Sequence, residues 1–334
     1  KNQPWLMNAL VGLVLHWSCK KEEFAAEPPP EPDPVDTTAV QNPVDPPPAY
    51  TTFSAPTVHL TSDFNSVELS QVANTEVTFG YAHDGPNGAN YYHISTQGAP
   101  SQYEGVARWK NLGSSSDEFP HAYAAAPAHR PAYVRNATPN GLPALEFASF
   151  RSQGSYHDVD YRAFLQFDNR PLQGDAFTLF AVISIPRELT FYDEKGNFDQ
   201  RPEKAQLLTG EQLSIHWTPW QQFDVRFPRA SYSVSVDEAL FRSNFRDQFR
   251  VVAIRFSKEK GLTLFENGVP HLVRPADPAF TDNGGLTLSG FLGAPDSERV
   301  SILRIAELRI YAEAGTEAAI AAATQELRTA YGIQ

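Results

Sequence analysis

The segment Leu262-Thr263-Leu264-Phe265-Glu266-Asn267-Gly268-Val269 reads as a strand, a two-residue turn and the start of a returning strand. Asn-Gly between apolar runs is the strongest short-range hairpin signal, because both turn residues take positive φ in a type I′ turn. Working outward, period-two alternation recurs on both sides. Val252, Ile254 and Phe256 share a face upstream, and Phe177, Leu179, Ala181, Ile183 and Ile185 share another. Phe223, Val225 and Phe227 alternate with charged residues, and Tyr232, Val234 and Val236 with serines. Downstream, Leu286 and Leu288, then Ala306, Leu308 and Ile310, continue the pattern. Alternation of this kind marks strands half-buried in a sheet.

One segment has a helical period. Ile320, Ala323, Leu327 and Tyr331 recur at three- and four-residue steps, Thr316 can cap the start and Gly332 suits the stop. Many strands and one terminal amphipathic helix predict an all-β antiparallel sandwich of jelly-roll type with one C-terminal helix.

The N-terminal end has a different chemistry. Trp5 to Leu15 is an apolar run closed at Cys19, the single cysteine of the chain. It is shorter than the roughly 20 apolar residues that span a bilayer. With Lys1 ahead and Ser18 just before the cysteine, residues 1–18 read as a secretory signal. The pattern resembles the lipobox of bacterial lipoproteins, which implies acylation of Cys19 and membrane attachment through that lipid. His16 and Trp17 stand where that family prefers Leu and a small residue, and the other reading is a short buried helix with a core cysteine. Lys20-Lys21-Glu22-Glu23 resembles the tag that sends some Gram-negative lipoproteins to the outer face of the outer membrane.

Residues 19–49 continue as a stalk. Nine prolines lie between Phe24 and Ala49, including Glu27-Pro28-Pro29-Pro30-Glu31-Pro32-Asp33-Pro34, with hardly any large apolar side chain. Such a segment cannot bury enough surface to fold. In polyproline II, at about 3.1 Å per residue, it reaches roughly 80 Å. No Lys or Arg occurs between Lys21 and Arg108, whereas Asp and Glu occur twelve times there. Removing these from the 39 acidic residues leaves 27, against 24 Lys and Arg once Lys1, Lys20 and Lys21 are set aside, so the body is near neutral. A near-neutral body without a basic stripe excludes nucleic acid as the expected partner, since phosphate binding needs clustered Lys and Arg. A lone cysteine makes no intramolecular disulfide, so the fold must hold by its core.

The body resembles the laminin-G-like, concanavalin A-like lectin/glucanase superfamily in five segments that occur in the same order. These are Val106-Ala107-Arg108-Trp109-Lys110-Asn111-Leu112; Arg130-Pro131-Ala132-Tyr133-Val134 with Asn140-Gly141-Leu142-Pro143-Ala144-Leu145-Glu146-Phe147; the strand Thr178–Ile183; the hairpin Leu264–Val269; and Ile305–Tyr311 with the helix to Ile333. The resemblance places one laminin-G-like sandwich over 105–334. Residues 50–104 hold either the first strand, Val58-His59-Leu60-Thr61-Ser62-Asp63, plus an insertion from about Gln71 to Tyr103, or a small immunoglobulin-like appendage over Pro56 to Tyr92.

Glucanases on this fold need two carboxylates on one strand face, and the family's Glu-x-Asp-x-x-Glu pattern has no match. Asp158-Val159-Asp160 comes nearest, inside Tyr156-His157-Asp158-Val159-Asp160-Tyr161-Arg162, which also holds the residue types of a lyase site. A solvated loop or cation-binding turn accounts for it equally well. No zinc pair and no Ser nucleophile elbow is present in the sequence.

Aromatics point to capture instead. Trp217 and Trp220 lie three apart in His216-Trp217-Thr218-Pro219-Trp220, and Tyr91-Tyr92-His93 forms a second cluster. Their faces can stack on sugar rings, although a Trp in a sandwich also packs cores. The resemblance further implies calcium at one rim, for which Asp168, Asp175, Asp282 and Asp296 are candidate oxygen ligands, in positions where Asp also serves ordinary turns. The expectation is therefore a non-catalytic lipoprotein at the outer membrane, facing the exterior and binding extracellular polysaccharide or a surface protein. The alternatives are a glycoside hydrolase or lyase on the same fold and an adhesion or assembly subunit.

Overall fold

A computed structural model describes residues 52–73, 102–114, 121–153, 158–167, 172, 175–186, 205–210, 213–217, 222–227, 230–235, 248–274, 286–289 and 301–334. In chain order their strands are β1 (Val58–Thr61), β2 (Val67–Ala73), β3 (Gln102–Lys110), β4 (His121–Tyr123), β5 (Ala132–Val134) and β6 (Ala144–Gln153). Next come β7 (Asp158–Arg162), β8 (Phe164–Phe167), β9 (Ala176–Ser184), β10 (Ala205–Gly210), β11 (Ser214–Trp217) and β12 (Gln222–Phe227). The last are β13 (Ala230–Ser235), β14 (Arg250–Ser257), β15 (Gly261–Glu266), β16 (Val269–Arg274), β17 (Leu286–Ser289) and β18 (Ser301–Tyr311), followed by helix α1 (Glu317–Tyr331).

All the pairings are antiparallel and trace two layers. In one, the order runs β16–β15–β14–β9–β18. The far edge of β18 meets β6 along its first half and β1 along its second. In the other, the order runs β13–β12–β11–β10–β17–β8–β4–β3–β2. Strand β5 bonds to both β3 and β6 and so joins the layers. Residues 58–73 thus pair within the same sheets as the rest of the body.

Alternation explains the core. Phe177, Leu179, Ala181 and Ile183 of β9 meet Val252, Ile254 and Phe256 of β14, and Leu165, Leu208, Ile215, Leu286 and Leu288 of the second layer, in one buried cluster. Burying each such side chain contributes about 1.5–3 kcal/mol, which makes this cluster the main source of stability. The alternate residues Phe180 and Val182 look the other way, into a second cluster with Ile320, Leu327 and Tyr331 of α1. The first layer is therefore apolar on both faces, one toward its partner sheet and one toward the helix.

Local chemistry sets the details. Asn267 and Gly268 take φ of 48° and 86°, the type I′ pair expected of Asn-Gly between β15 and β16. A bulge at Ala306 interrupts β18 where its neighbour changes from β6 to β1. The Ala306 carbonyl accepts the Ser62 amide at 3.0 Å and its hydroxyl at 2.8 Å, so the bulge leaves no buried acceptor unpaired. Thr316 Oγ1 caps α1 by accepting from the Ala319 amide at 3.1 Å, and Gly332 closes the helix at φ 67°. A Cβ at Gly332 would lie 2.3 Å from Asn140 Oδ1, a second reason for glycine there.

One polar node ties the helix down. Glu307 of β18 is buried, and its Oε2 accepts from the Tyr331 hydroxyl at 2.6 Å. Its Oε1 accepts from Arg309 Nε at 2.5 Å and lies 2.9 Å from His59 Nε2. Arg309 also donates to Glu326 of the helix at 2.9 Å.

Candidate functional site

The outer face of the second layer gathers a group of polar side chains. Its strands alternate, so the neighbours of the core residues Leu165, Leu208, Ile215 and Leu288 point away from the core. Register aligns Tyr123, Gln166, Thr287, Thr209 and Ser214 in one row across β4, β8, β17, β10 and β11. Beside it, Gln206 faces His216 and Phe164 faces Ser289. Asp224 stands in register with His216, and Ser233 with Asp224.

An antiparallel sheet usually turns a wet face outward. Here Gln206, Thr209, His216, Thr287 and Ser289 are all buried, although the apolar core lies on the opposite side. Hydroxyls, an amide and an imidazole are thus sheltered together. Gln206 Nε2 donates to the Leu208 carbonyl at 2.8 Å and to Ser214 Oγ at 3.0 Å. Thr287 Oγ1 lies 3.1 Å from the carbonyl oxygens of Thr209 and Ser289. Half-buried Phe164 carries the His129 ring at 4.4 Å between centroids.

Ser289 stands out within this face. It is fully buried, its φ is 58°, and its hydroxyl has no partner among the described residues. A non-glycine residue in the left-handed region costs energy and persists only where its surroundings hold it. A buried hydroxyl without a partner adds to that cost. Polyols supply both donors and acceptors, and the Phe164–His129 stack offers the apolar surface that a sugar ring requires.

The sequence candidates fall differently. Trp217 is 2 % exposed and belongs to the cluster between the sheets, on the same face as Ile215. It is a core residue, not an open stacking platform, and this corrects the expectation at that position. Trp220, Tyr91, Tyr92, Asp168, Asp282, Asp296 and Cys19 lie outside the described residues. Asp175 is exposed and paired with the ammonium of Lys258. Among the described residues no three His, Cys, Asp or Glu side chains gather in a metal-binding group. A lone carboxylate held by a lysine does not fit a calcium site, which needs six to eight oxygen ligands. Asp158 and Asp160 lie in β7, in register with Gln153 and Arg151 of β6.

Sequence reasoning passed over Thr209, Thr287, Ser289, Gln206 and Phe164. The one available signal was the alternation Leu286, Thr287, Leu288, Ser289, which gives the hydroxyls one face but says nothing of their burial.

No family model matches the chain, and no curated protein matches it. Among solved structures it is similar to one of botulinum neurotoxin type C, whose passage into cells depends on interaction with two ganglioside molecules; identity is 9 %, TM-score 0.45, with 82 % of this chain and 51 % of that one covered. A botulinum neurotoxin type G receptor binding domain matches at 9 % identity and TM-score 0.42, over 65 % of this chain and 49 % of that one. The binding domain of botulinum neurotoxin DC in complex with rat synaptotagmin II matches at 11 % identity and TM-score 0.44, over 65 % and 49 %. The chain spans about half the length of these structures.

Proposed function

We propose that the chain is a cell-surface binding module, tethered to the outer membrane by lipid on Cys19 and raised on its proline-rich stalk, whose sandwich captures extracellular glycan without cleaving it. The observation that carries the capture is the sheltered polar face: Gln206, Thr209, Thr287 and Ser289 beside the Phe164–His129 stack. Gln206, bonded to Ser214 Oγ and the Leu208 carbonyl, and Thr287, bonded to two backbone carbonyls, are already fixed, so little side-chain freedom is lost when a polyol binds. The tether rests on the apolar run ending at Cys19 and the charged residues after it. Calcium at one rim belongs to the same proposal through Asp168, Asp282 and Asp296; calorimetric titration with Ca2+ showing no heat removes it.

Electrophoresis of the full chain through gels cast with individual neutral and acidic polysaccharides tests the capture. The chain is expected to be retarded by at least one, and Phe164→Ala is expected to relieve that retardation. Migration indifferent to every polysaccharide rules the glycan reading out. Mass spectrometry of the protein from membranes tests the tether, which requires acyl groups on residue 19.

A further inference from the structure

A second group of side chains, away from the polar face, remains after the fold is accounted for. Arg135 follows β5, and its guanidinium is fixed from three directions. Glu104 of β3 accepts from its Nε at 2.9 Å and its Nη2 at 2.8 Å. The Tyr133 ring lies beneath it, 5.5 Å from the guanidinium carbon to the centroid. Phe64, in the single helical turn Phe64–Ser66 between β1 and β2, lies 5.7 Å away on the same measure. Tyr133 is itself anchored, donating its hydroxyl to the Ser62 carbonyl at 3.2 Å. The group is therefore held in place by the core below it.

What it leaves open is specific. Phe64 is 60 % exposed, and the Arg135 side chain is more than half exposed. Nη1 of Arg135 has no acceptor among the described residues, and each Glu104 oxygen keeps a lone pair beyond the one that Arg135 uses. Hydrogen bonds from Arg135, outweighing partial burial, hold the Glu104 carboxyl below its usual range, so it stays an acceptor at neutral pH. An isolated exposed Phe is ordinary. An exposed ring beside a rigid donor and a rigid acceptor, drawn from three separate elements, is the arrangement that recognises a ring with apolar faces and hydroxyl edges.

We propose that Phe64, Arg135 and Glu104 form a subsite for one neutral pyranose of a glycan, the sugar face stacking on Phe64 while neighbouring hydroxyls bridge Arg135 Nη1 and a Glu104 oxygen. The inference rests on the capture of glycan argued above. Charge selects the class. Arg135 and Glu104 cancel, and Asp63 directly follows Ser62, whose carbonyl accepts the Tyr133 hydroxyl, so the site disfavours uronates and other anionic sugars.

The same gels, cast with neutral polysaccharides and separately with alginate or pectate, test it on the full chain. For the neutral polysaccharide that retards the wild type, Phe64→Ala and Arg135→Ala are each expected to raise the dissociation constant about fivefold to tenfold. Phe64→Trp is expected to retain binding, and Arg135→Lys to weaken it as Arg135→Ala does, because an ammonium cannot hold the fork to Glu104. Circular dichroism and the thermal midpoint report folding in each variant. A wild type retarded while Phe64→Ala is retarded equally overturns this subsite and leaves the polar face standing. Retardation by anionic polysaccharides alone, abolished by Arg135→Ala, overturns the neutral class. A wild type that no polysaccharide retards overturns the glycan reading and this subsite together.

Discussion

The two faces of the first sheet differ in kind. Toward the second sheet, Phe177, Leu179, Ile254, Phe256 and their neighbours form an apolar cluster whose members need only fit together. Toward α1, Phe180, Val182, Ile320 and Leu327 surround a polar node, in which Glu307 is gripped by Tyr331, Arg309 and His59. The first face stabilises without direction. The second fixes the helix at one rotation and one height, because Tyr331 Oη and Glu307 Oε2 meet at 2.6 Å in only one placement. The difference teaches that this sandwich owes its stability to one side and the unique seating of its last element to the other.

The largest effect should come from the first face. Phe256→Ala removes a fully buried ring that stacks on Phe177 at 5.5 Å, and a loss of about 3–5 kcal/mol is expected from guanidinium unfolding. Glu307→Ala should follow at about 3 kcal/mol, since it strands the buried Tyr331 hydroxyl and leaves Arg309 only its bond to exposed Glu326. Equal losses for Glu307→Ala and an exposed substitution such as Glu326→Ala would erase the distinction between the faces.

Acid titration sharpens the comparison. Burial pushes the Glu307 carboxyl up, but hydrogen bonds from His59, Tyr331 and Arg309, with the Arg309 charge, outweigh it and hold the group below 4.5. Its unfolded value is higher, so its contribution is fully present above that value and is lost as pH falls through the folded one. Glu266, at the end of β15 beside Arg250, behaves oppositely, because burial outweighs Arg250 and His271 and raises its carboxyl. Its contribution is present at low pH and is lost as pH rises through the raised value. Unfolding free energies from about pH 3 to 7 should therefore show Glu307→Gln removing an acid-sensitive slope and Glu266→Gln removing one of the contrary sign. Parallel curves for the two variants would refute the assignment. The smallest effect is expected at the helix start, where Thr316→Ala should cost about 1 kcal/mol in thermal unfolding.

Much of this was legible in the chain where the signal is local. The Asn267–Gly268 turn, the alternation of β9 and the period of α1 each depend on neighbours within a few residues, and each formed where expected. The pairing of β1 with β18 joins residues some 250 positions apart, and no local pattern specifies it. The Glu307 node reaches His59 across 248 positions, and the Phe64–Arg135–Glu104 group joins three segments that no local pattern brings together. Trp217 is the instructive case. Its alternation with Ile215, against Ser214 and His216, already set it on the inward face, yet its neighbours Pro219 and Trp220 drew attention to a surface cluster. Period two was the better guide, because strand geometry fixes which side a residue faces before its chemistry matters.

The claim at the centre is that the sandwich holds a sugar chain and leaves it intact. Incubating the full chain with a polysaccharide that retards it, and following the polymer by size-exclusion chromatography with light scattering, tests that claim directly. A stable complex whose polymer keeps its starting length distribution is the result expected. Progressive shortening of the polymer in the presence of the protein would contradict it.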